Sequence, residues 1–183
     1  RNKDLRGADL VSAKLEGADL SGAKLQGANL SRAELQGANL FSAKLHGANL
    51  SVAELNGAYL FRAELQGANL SGAALQGANL FSAKLQGANL SWAILEGANL
   101  SWATLKGATF FATRLEGKPD QPIHLSRIIA SQLRYSALRN ANLANSRLAY
   151  LRQFETNFGD GTVLLPPGYP RPCHWATKRL DDA

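Results

Sequence analysis

The sequence predicts an all-β stacked solenoid, and three observations carry that prediction. A ten-residue phrase recurs with little drift through residues 27–86: GANLSRAELQ, GANLFSAKLH, GANLSVAELN, GAYLFRAELQ, GANLSGAALQ, GANLFSAKLQ. Leucine occupies every fifth position from Leu5 to Leu105. Alanine stands two residues before nearly every one of them. Halved, the phrase is a pentapeptide: a small residue, a variable one, leucine, and two more variable positions.

A period of five excludes the helical alternatives. At ~100° per residue, five residues advance about 500°, so successive leucines would fall about 140° apart and smear around a helix axis. Heptads and the leucine-rich consensus fail as well, because neither gives leucine at a strict interval of five. In an extended segment residues two apart share a face, so Ala8 and Leu10 point the same way. The next pair, Ala13 and Leu15, follows after a gap of three, which breaks the alternation and requires the chain to turn. With turns near a right angle, four pentads close a square coil of twenty residues. Leucine then fills the interior, alanine permits close packing at the wall, and the other three positions of each pentad face out.

These residues resemble the pentapeptide-repeat family, whose motif is A(D/N)LXX. Ala8-Asp9-Leu10, Ala28-Asn29-Leu30 and Ala98-Asn99-Leu100 match the motif directly. The resemblance runs through residues 4–117 without a break and, less regularly, through 125–158. It implies a right-handed quadrilateral β-helix, where the period alone supports only a stacked solenoid.

Taken in order, the chain divides into four segments. Residues 1–117 are the regular solenoid. Its first coil is rich in charge (Lys3, Asp4, Arg6, Asp9, Lys14, Glu16, Asp19 and Lys24), which discourages edge-to-edge growth at the end of a β stack. Residues twenty apart should stack, so Asn29, Asn49, Asn69 and Asn89 form one amide ladder. Asn39, Asn79 and Asn99 form another, interrupted by Tyr59. The position after the inward leucine reads Ser21, Phe41, Phe61, Phe81, Ser101 at the same spacing, with Trp102 beside the top of the strip. Half a coil away, Trp92 and Phe111 make a smaller aromatic pair.

The register then shifts. Phe110 and Leu115 keep the beat, Thr113 replaces alanine, and the prolines of residues 118–124 mark a loop insertion. Over 125–158 the solenoid continues in a shifted register, with Ile128, Leu133, Leu138, Leu143, Leu148 and Phe158 at intervals of five and Gln153 breaking the series. Leu115 to Ile128 is thirteen residues, or two pentads plus three. The tail, 159–183, abandons the repeat, and Pro166, Pro167, Pro170 and Pro172 suit it to be a C-terminal cap.

The net charge is +6, unevenly placed. Residues 1–117 hold 11 basic and 9 acidic side chains, and residues 118–183 hold 9 and 5. The excess includes a basic patch of Arg127, Arg134, Arg139, Arg147 and Arg152, which could hold phosphates or simply be solvated. The single Cys173 excludes an intramolecular disulfide. No apolar run approaches the ~20 residues of a membrane span, and a cytoplasmic location is the expectation. The chain has no Met and opens on Arg1 already in register, so an upstream segment such as an anchor or partner domain is expected.

Catalysis needs converging groups, and the repeat supplies none. His46, His124 and His174 stand in different elements without metal-ligand spacing. Cys173 and His174 are adjacent, an awkward arrangement for nucleophile and base. No enzyme, cofactor, metal or small-molecule substrate is expected. The pattern instead predicts a non-catalytic structural or protein-interaction module that meets an unknown protein partner or a second copy of itself. Its candidate interaction strip is Phe41, Phe61, Phe81 and Trp102. Against this stands the alternative of a self-stacking ladder that stiffens the wall. Some members of the family mimic DNA at type II topoisomerases. That role needs dense carboxylates, and here the variable position is mostly Asn. Nucleic-acid binding through the basic C-terminal third is the remaining alternative.

Overall fold

The computed structural model describes residues 3–105, 107–110 and 113, together with the backbone of five short strands. These are β1 (Arg114–Glu116), β2 (Ile123–His124), β3 (Ala137–Arg139), β4 (Ala141–Asn142) and β5 (Phe158–Gly159). From Asp4 to Thr109 each parallel bridge joins a residue to the one twenty positions later, as in Asp9–Asn29–Asn49–Asn69–Asn89–Thr109. Four pentads therefore close one coil, and the coil has four walls.

The bridging residue of each pentad sits between the two buried ones. Asn29 N donates to Ala8 O at 2.9 Å and Asn29 O accepts from Leu10 N at 2.7 Å, so each wall is a parallel ladder one residue wide. The corners hydrogen-bond to the next coil too, as in Gly7 N to Gln26 O at 3.0 Å. Each corner also closes on itself: Ala28 N donates to Leu25 O at 3.1 Å. This is the i to i+3 bond of a β-turn whose third residue has positive φ, the type II signature. Gly27 fills that place at φ 66°, but Arg32, Val52, Trp92 and Trp102 fill it at 57–64° elsewhere.

Inside, alanine and leucine from Ala23 to Leu105 are buried almost completely, and Phe110 takes a leucine place above them. At the first coil Leu5, Leu10 and Leu15 are only partly buried against the column. Thr113 brings a hydroxyl into the core in place of an alanine. That group would be costly unpaired, and it donates to Leu90 O at 2.7 Å.

Above the regular coils the pairing stays parallel, and its spacing changes. Leu115 stands opposite Leu138, twenty-three residues on instead of twenty. Ile123 stands opposite Ala141. Ala137 stands opposite Phe158 and Leu138 opposite Gly159, so Phe158 is one residue out of the beat expected for it. Gln153 breaks the apolar series of five in the sequence just before Phe158, and a shift of one residue exchanges the faces of a strand. The rest of the loop insertion, of the shifted coils and of the tail lies outside the described residues.

Candidate functional site

Each wall has a chemistry set by its bridge column. On the Asn29 wall, Asn49 Nδ2 donates to Asn29 Oδ1 at 3.1 Å and Asn69 Nδ2 to Asn49 Oδ1 at 3.3 Å, an amide ladder as the sequence suggests. The same oxygens accept the backbone N–H two residues on, as Asn29 Oδ1 does from Ser31 N at 3.2 Å. Asparagine thus holds both its own corner and the coil above it. This ladder is structural.

The Lys24 wall is ionic. Lys84 Nζ lies 3.0 Å from Glu64 Oε1, and His46 Nε2 lies 3.8 Å from Glu64 Oε2. The Lys84 ammonium, hydrogen-bonded to Glu64, holds that carboxyl below its ordinary range. At the first coil Arg6 hydrogen-bonds Asp4 through two nitrogens and pulls the Asp4 pKa down to about 2. Ser21 Oγ donates to Asp19 Oδ1, and with Lys3 at 2.9 Å it depresses Asp19 as well. The charges that the sequence places at the first coil are therefore substantially paired with one another.

The wall carrying Asp19, Asn39, Tyr59, Asn79 and Asn99 is different. Asn39 Nδ2 reaches Asp19 Oδ1 at 3.4 Å, but Tyr59 offers no amide oxygen to Asn79 above it. Its ring turns outward and is 57% exposed. Along the adjoining corner Phe41 and Phe61 stack with centroids 5.5 Å apart and planes at 20°, and Phe61 and Phe81 tilt at 40° across the same distance. Arg62 Cζ covers the Phe61 ring at 5.1 Å. Phe41 remains 42% exposed, and Phe61 and Phe81 are half-buried by their neighbours. Between the phenylalanine corner and the bare backbone of Gly37 runs an open groove of about 470 Å³, lined by Gly37, Asn39, Phe41, Tyr59, Phe61 and Asn79.

The structure thus brings Phe41, Phe61 and Phe81 into one stack. Trp102 occupies the third position of the turn above, in the column of Gly22, Ser42, Arg62 and Ser82, at φ 61° and 59% exposed. The groove was less legible, because Tyr59 reads in sequence only as a break in a ladder. Its signal was the coincidence of an aromatic bridge residue with Phe61 two positions on and Phe41 and Phe81 one coil to either side. Phe111, Arg127, Arg134, Arg147 and Arg152 lie outside the described residues, and of Arg139 only the backbone is described. Among the described residues no cluster of three or more His, Cys, Asp or Glu side chains could hold a metal, and no helix is long and apolar enough to cross a membrane.

A four-sided coil with one leucine per side defines a β-helical repeat protein. The chain belongs to the pentapeptide-repeat family: the family model "Pentapeptide repeats (8 copies)" matches residues 4–40, 38–77 and 73–110, more than half of its length. Among solved structures it is similar to HetL of Nostoc sp. strain PCC 7120, a pentapeptide repeat protein involved in heterocyst differentiation regulation. That match has 29% identity and a TM-score of 0.58 over 89% of this chain and 76% of HetL. A pentapeptide repeat protein of the Arabidopsis thaliana thylakoid lumen matches at 29% identity and a TM-score of 0.43, over 64% of this chain and 70% of that one. The plasmid-mediated fluoroquinolone resistance protein QnrB1 matches at 22% identity and a TM-score of 0.49, over 91% and 85%. Among curated proteins none matches the sequence significantly.

Proposed function

We infer that the protein is a non-catalytic interaction module whose aromatic groove captures a protein partner. One observation carries this reading: the groove is built from residues the fold does not require. Ser21 and Ser101 close the same corner without an aromatic ring, and Asn fills the bridge position above and below Tyr59. Exposed aromatic rings beside amides are the composition of a protein-binding surface, since they supply contact area at low entropic cost. Among the described residues the outward walls offer no enclosed cleft with converging acid, base or nucleophile, which supports a binding role over a catalytic one. HetL, the neighbour with a regulatory description, fits a scaffold that acts by contact.

The DNA-mimic alternative has less support. Two of the four bridge columns are mostly Asn, and Asp4 and Asp19 of the first coil are engaged with Lys3, Arg6 and Lys24.

Tyr59→Asn is the decisive variant, because it replaces the groove's ring with the residue the ladder prefers. Affinity capture with the parent protein identifies the partner, and binding is then measured for Tyr59→Asn and Phe41→Ser. The expected result is loss of the partner from both variants with folding intact. Undiminished binding by both would place the contact elsewhere.

A further inference from the structure

On the wall before the aromatic groove in chain order lies a second surface, which shares with the groove only the corner at Gly37. Its bridge column reads Lys14, Glu34, Glu54, Ala74, Ile94 from bottom to top, so the lower half is charged and the upper half apolar. The corner beside it carries Val52, Gly72 and Trp92 at the third turn position. Val52 is 55% exposed and Trp92 is 64% exposed. Gly72 between them has no side chain, and a Cβ built there would lie 3.6 Å from Val52 Cγ2. The result is a notch with a backbone floor, Val52 on one side and Trp92 on the other, opening beside Ala74 and Ile94.

The conformation of Val52 adds to the case. It sits at φ 57°, where a β-branched side chain is strained. Strain of this kind persists only where the surrounding structure holds it, here the corner that Arg32 and Trp92 also share. Serine at the same corner, Ser12, adopts φ 53° with no branch.

The charges choose the occupant. On this wall and its two corners the described side chains include four carboxylates, Glu16, Glu34, Glu54 and Glu96, against the two cations Lys14 and Arg32. Glu34 hydrogen-bonds Glu16, and the crowding of the two raises the Glu34 carboxyl above its ordinary range. Glu54 takes a hydrogen bond from Gln36. An incoming cation would relieve a repulsion that the column itself leaves in place.

We propose that this wall docks an extended polypeptide segment with a basic residue over Glu34 and Glu54 and a bulky apolar side chain in the Val52–Gly72–Trp92 notch. The midpoint of Glu34 and Glu54 lies one and a half coils below the Gly72 floor of the notch, about 7 Å at the ~4.8 Å spacing of stacked strands, which an extended segment spans in about two residues with both side chains on the same face. The recognised pattern is therefore Lys or Arg about two positions from Leu, Ile, Phe or Trp. This inference is independent of the aromatic groove.

The probe is a fluorescein-labelled peptide with a lysine pair two residues from a Leu-Trp pair, measured by anisotropy against the whole chain. Two control peptides carry Glu for Lys, or Ser for Leu-Trp. The lysine peptide is expected to bind and the controls to bind at least tenfold more weakly. Trp92→Ser and Val52→Ser should each cost at least tenfold, and the pair Glu34→Gln with Glu54→Gln should cost several-fold and flatten the salt dependence. Tyr59→Asn and Phe41→Ser should leave this binding unchanged, which separates its failure from failure of the groove. Melting curves confirm that each variant is folded. Equal binding of the Glu peptide, or no effect of Trp92→Ser in a folded variant, overturns the proposal. A concentration-dependent dimer in sedimentation that Trp92→Ser abolishes also overturns it, by making a second copy the occupant.

Discussion

Tyr59 stands directly opposite Asn79 in the bridge register, in a column that otherwise holds only Asp or Asn from Asp19 to Asn99. Asn79 Nδ2 therefore lacks the side-chain acceptor that Asn49 finds on Asn29. Restoring the ladder with Tyr59→Asn should hold or raise stability, by up to the ~0.5–1.5 kcal/mol of one net hydrogen bond. Chemical denaturation of the two proteins measures it. A variant clearly less stable than the parent would show that the ring supports the wall.

The phenylalanine stack makes a second, separable prediction. Its two ring contacts should contribute roughly 1–3 kcal/mol together, at about 0.5–1.5 kcal/mol per aromatic pair. Phe61→Ser, in the middle, breaks both contacts and should cost most of that sum, whereas Phe81→Ser breaks one. Equal losses from the two would mean that the rings do not act as a ladder.

Left-handed corners allow a test of backbone strain alone. Gly67 lies at φ 65° with no atom within 4 Å of an added Cβ, so Gly67→Val meets only the conformational penalty. That should destabilise by about 1–2 kcal/mol. The converse change, Val52→Gly, should gain on strain and lose part of it to the entropy of glycine, for a net effect within about 1 kcal/mol of zero or favourable. A large loss from Val52→Gly would mean that Val52 packs more than its exposure indicates.

The leucine column should be far less tolerant. Leu70 is fully buried, and Leu70→Ala should cost about 2–5 kcal/mol through lost transfer energy and the cavity left behind. Gln66→Lys, on the corner below it, should cost little. Hydrogen exchange would localise the first loss to adjacent coils, because in a solenoid each coil contacts only its neighbours.

Acid should loosen the first coil before the rest. Asp4 titrates at about 2 in the fold because of Arg6, below its ordinary 3.8, and Asp19 is depressed as well by Ser21 and Lys3. A carboxylate with a lowered folded pKa contributes stability above its unfolded pKa and loses it as pH falls through the folded one. The window is therefore from about pH 4 down to about pH 2. Glu34 has the opposite sign: its raised pKa makes its ionisation unfavourable to the fold as pH rises past the ordinary carboxylate range. Melts at pH 7 and pH 2 should show Asp4→Asn losing most of its difference from the parent at the lower value. Glu34→Gln should match or exceed the parent at pH 7.

Much of this was open to inspection in the residues. A strict interval of five allows only one way for leucine to stay inside a coil, so the walls, the buried alanines and the asparagine ladder follow from counting. The corner conformation was also written there, in the glycine at every tenth position from Gly7 to Gly107. Its meaning was harder to see, because Ser12, Arg32, Val52 and Trp92 take the same left-handed backbone at alternate corners without announcing it.

The sequence by itself determined the period, the inward column and the twenty-residue stacking, because burial and strand alternation act locally and repeat. Only the tertiary structure decided which outward residues become neighbours around a corner and how far each is covered. Tyr59 stands eighteen residues after Phe41 and lines one groove with it and Gly37, and Glu34, Val52 and Trp92 likewise share one surface. The reason is that a coil brings together positions from different pentads and different turns, and the exposure of each depends on the side chain one coil above and one below.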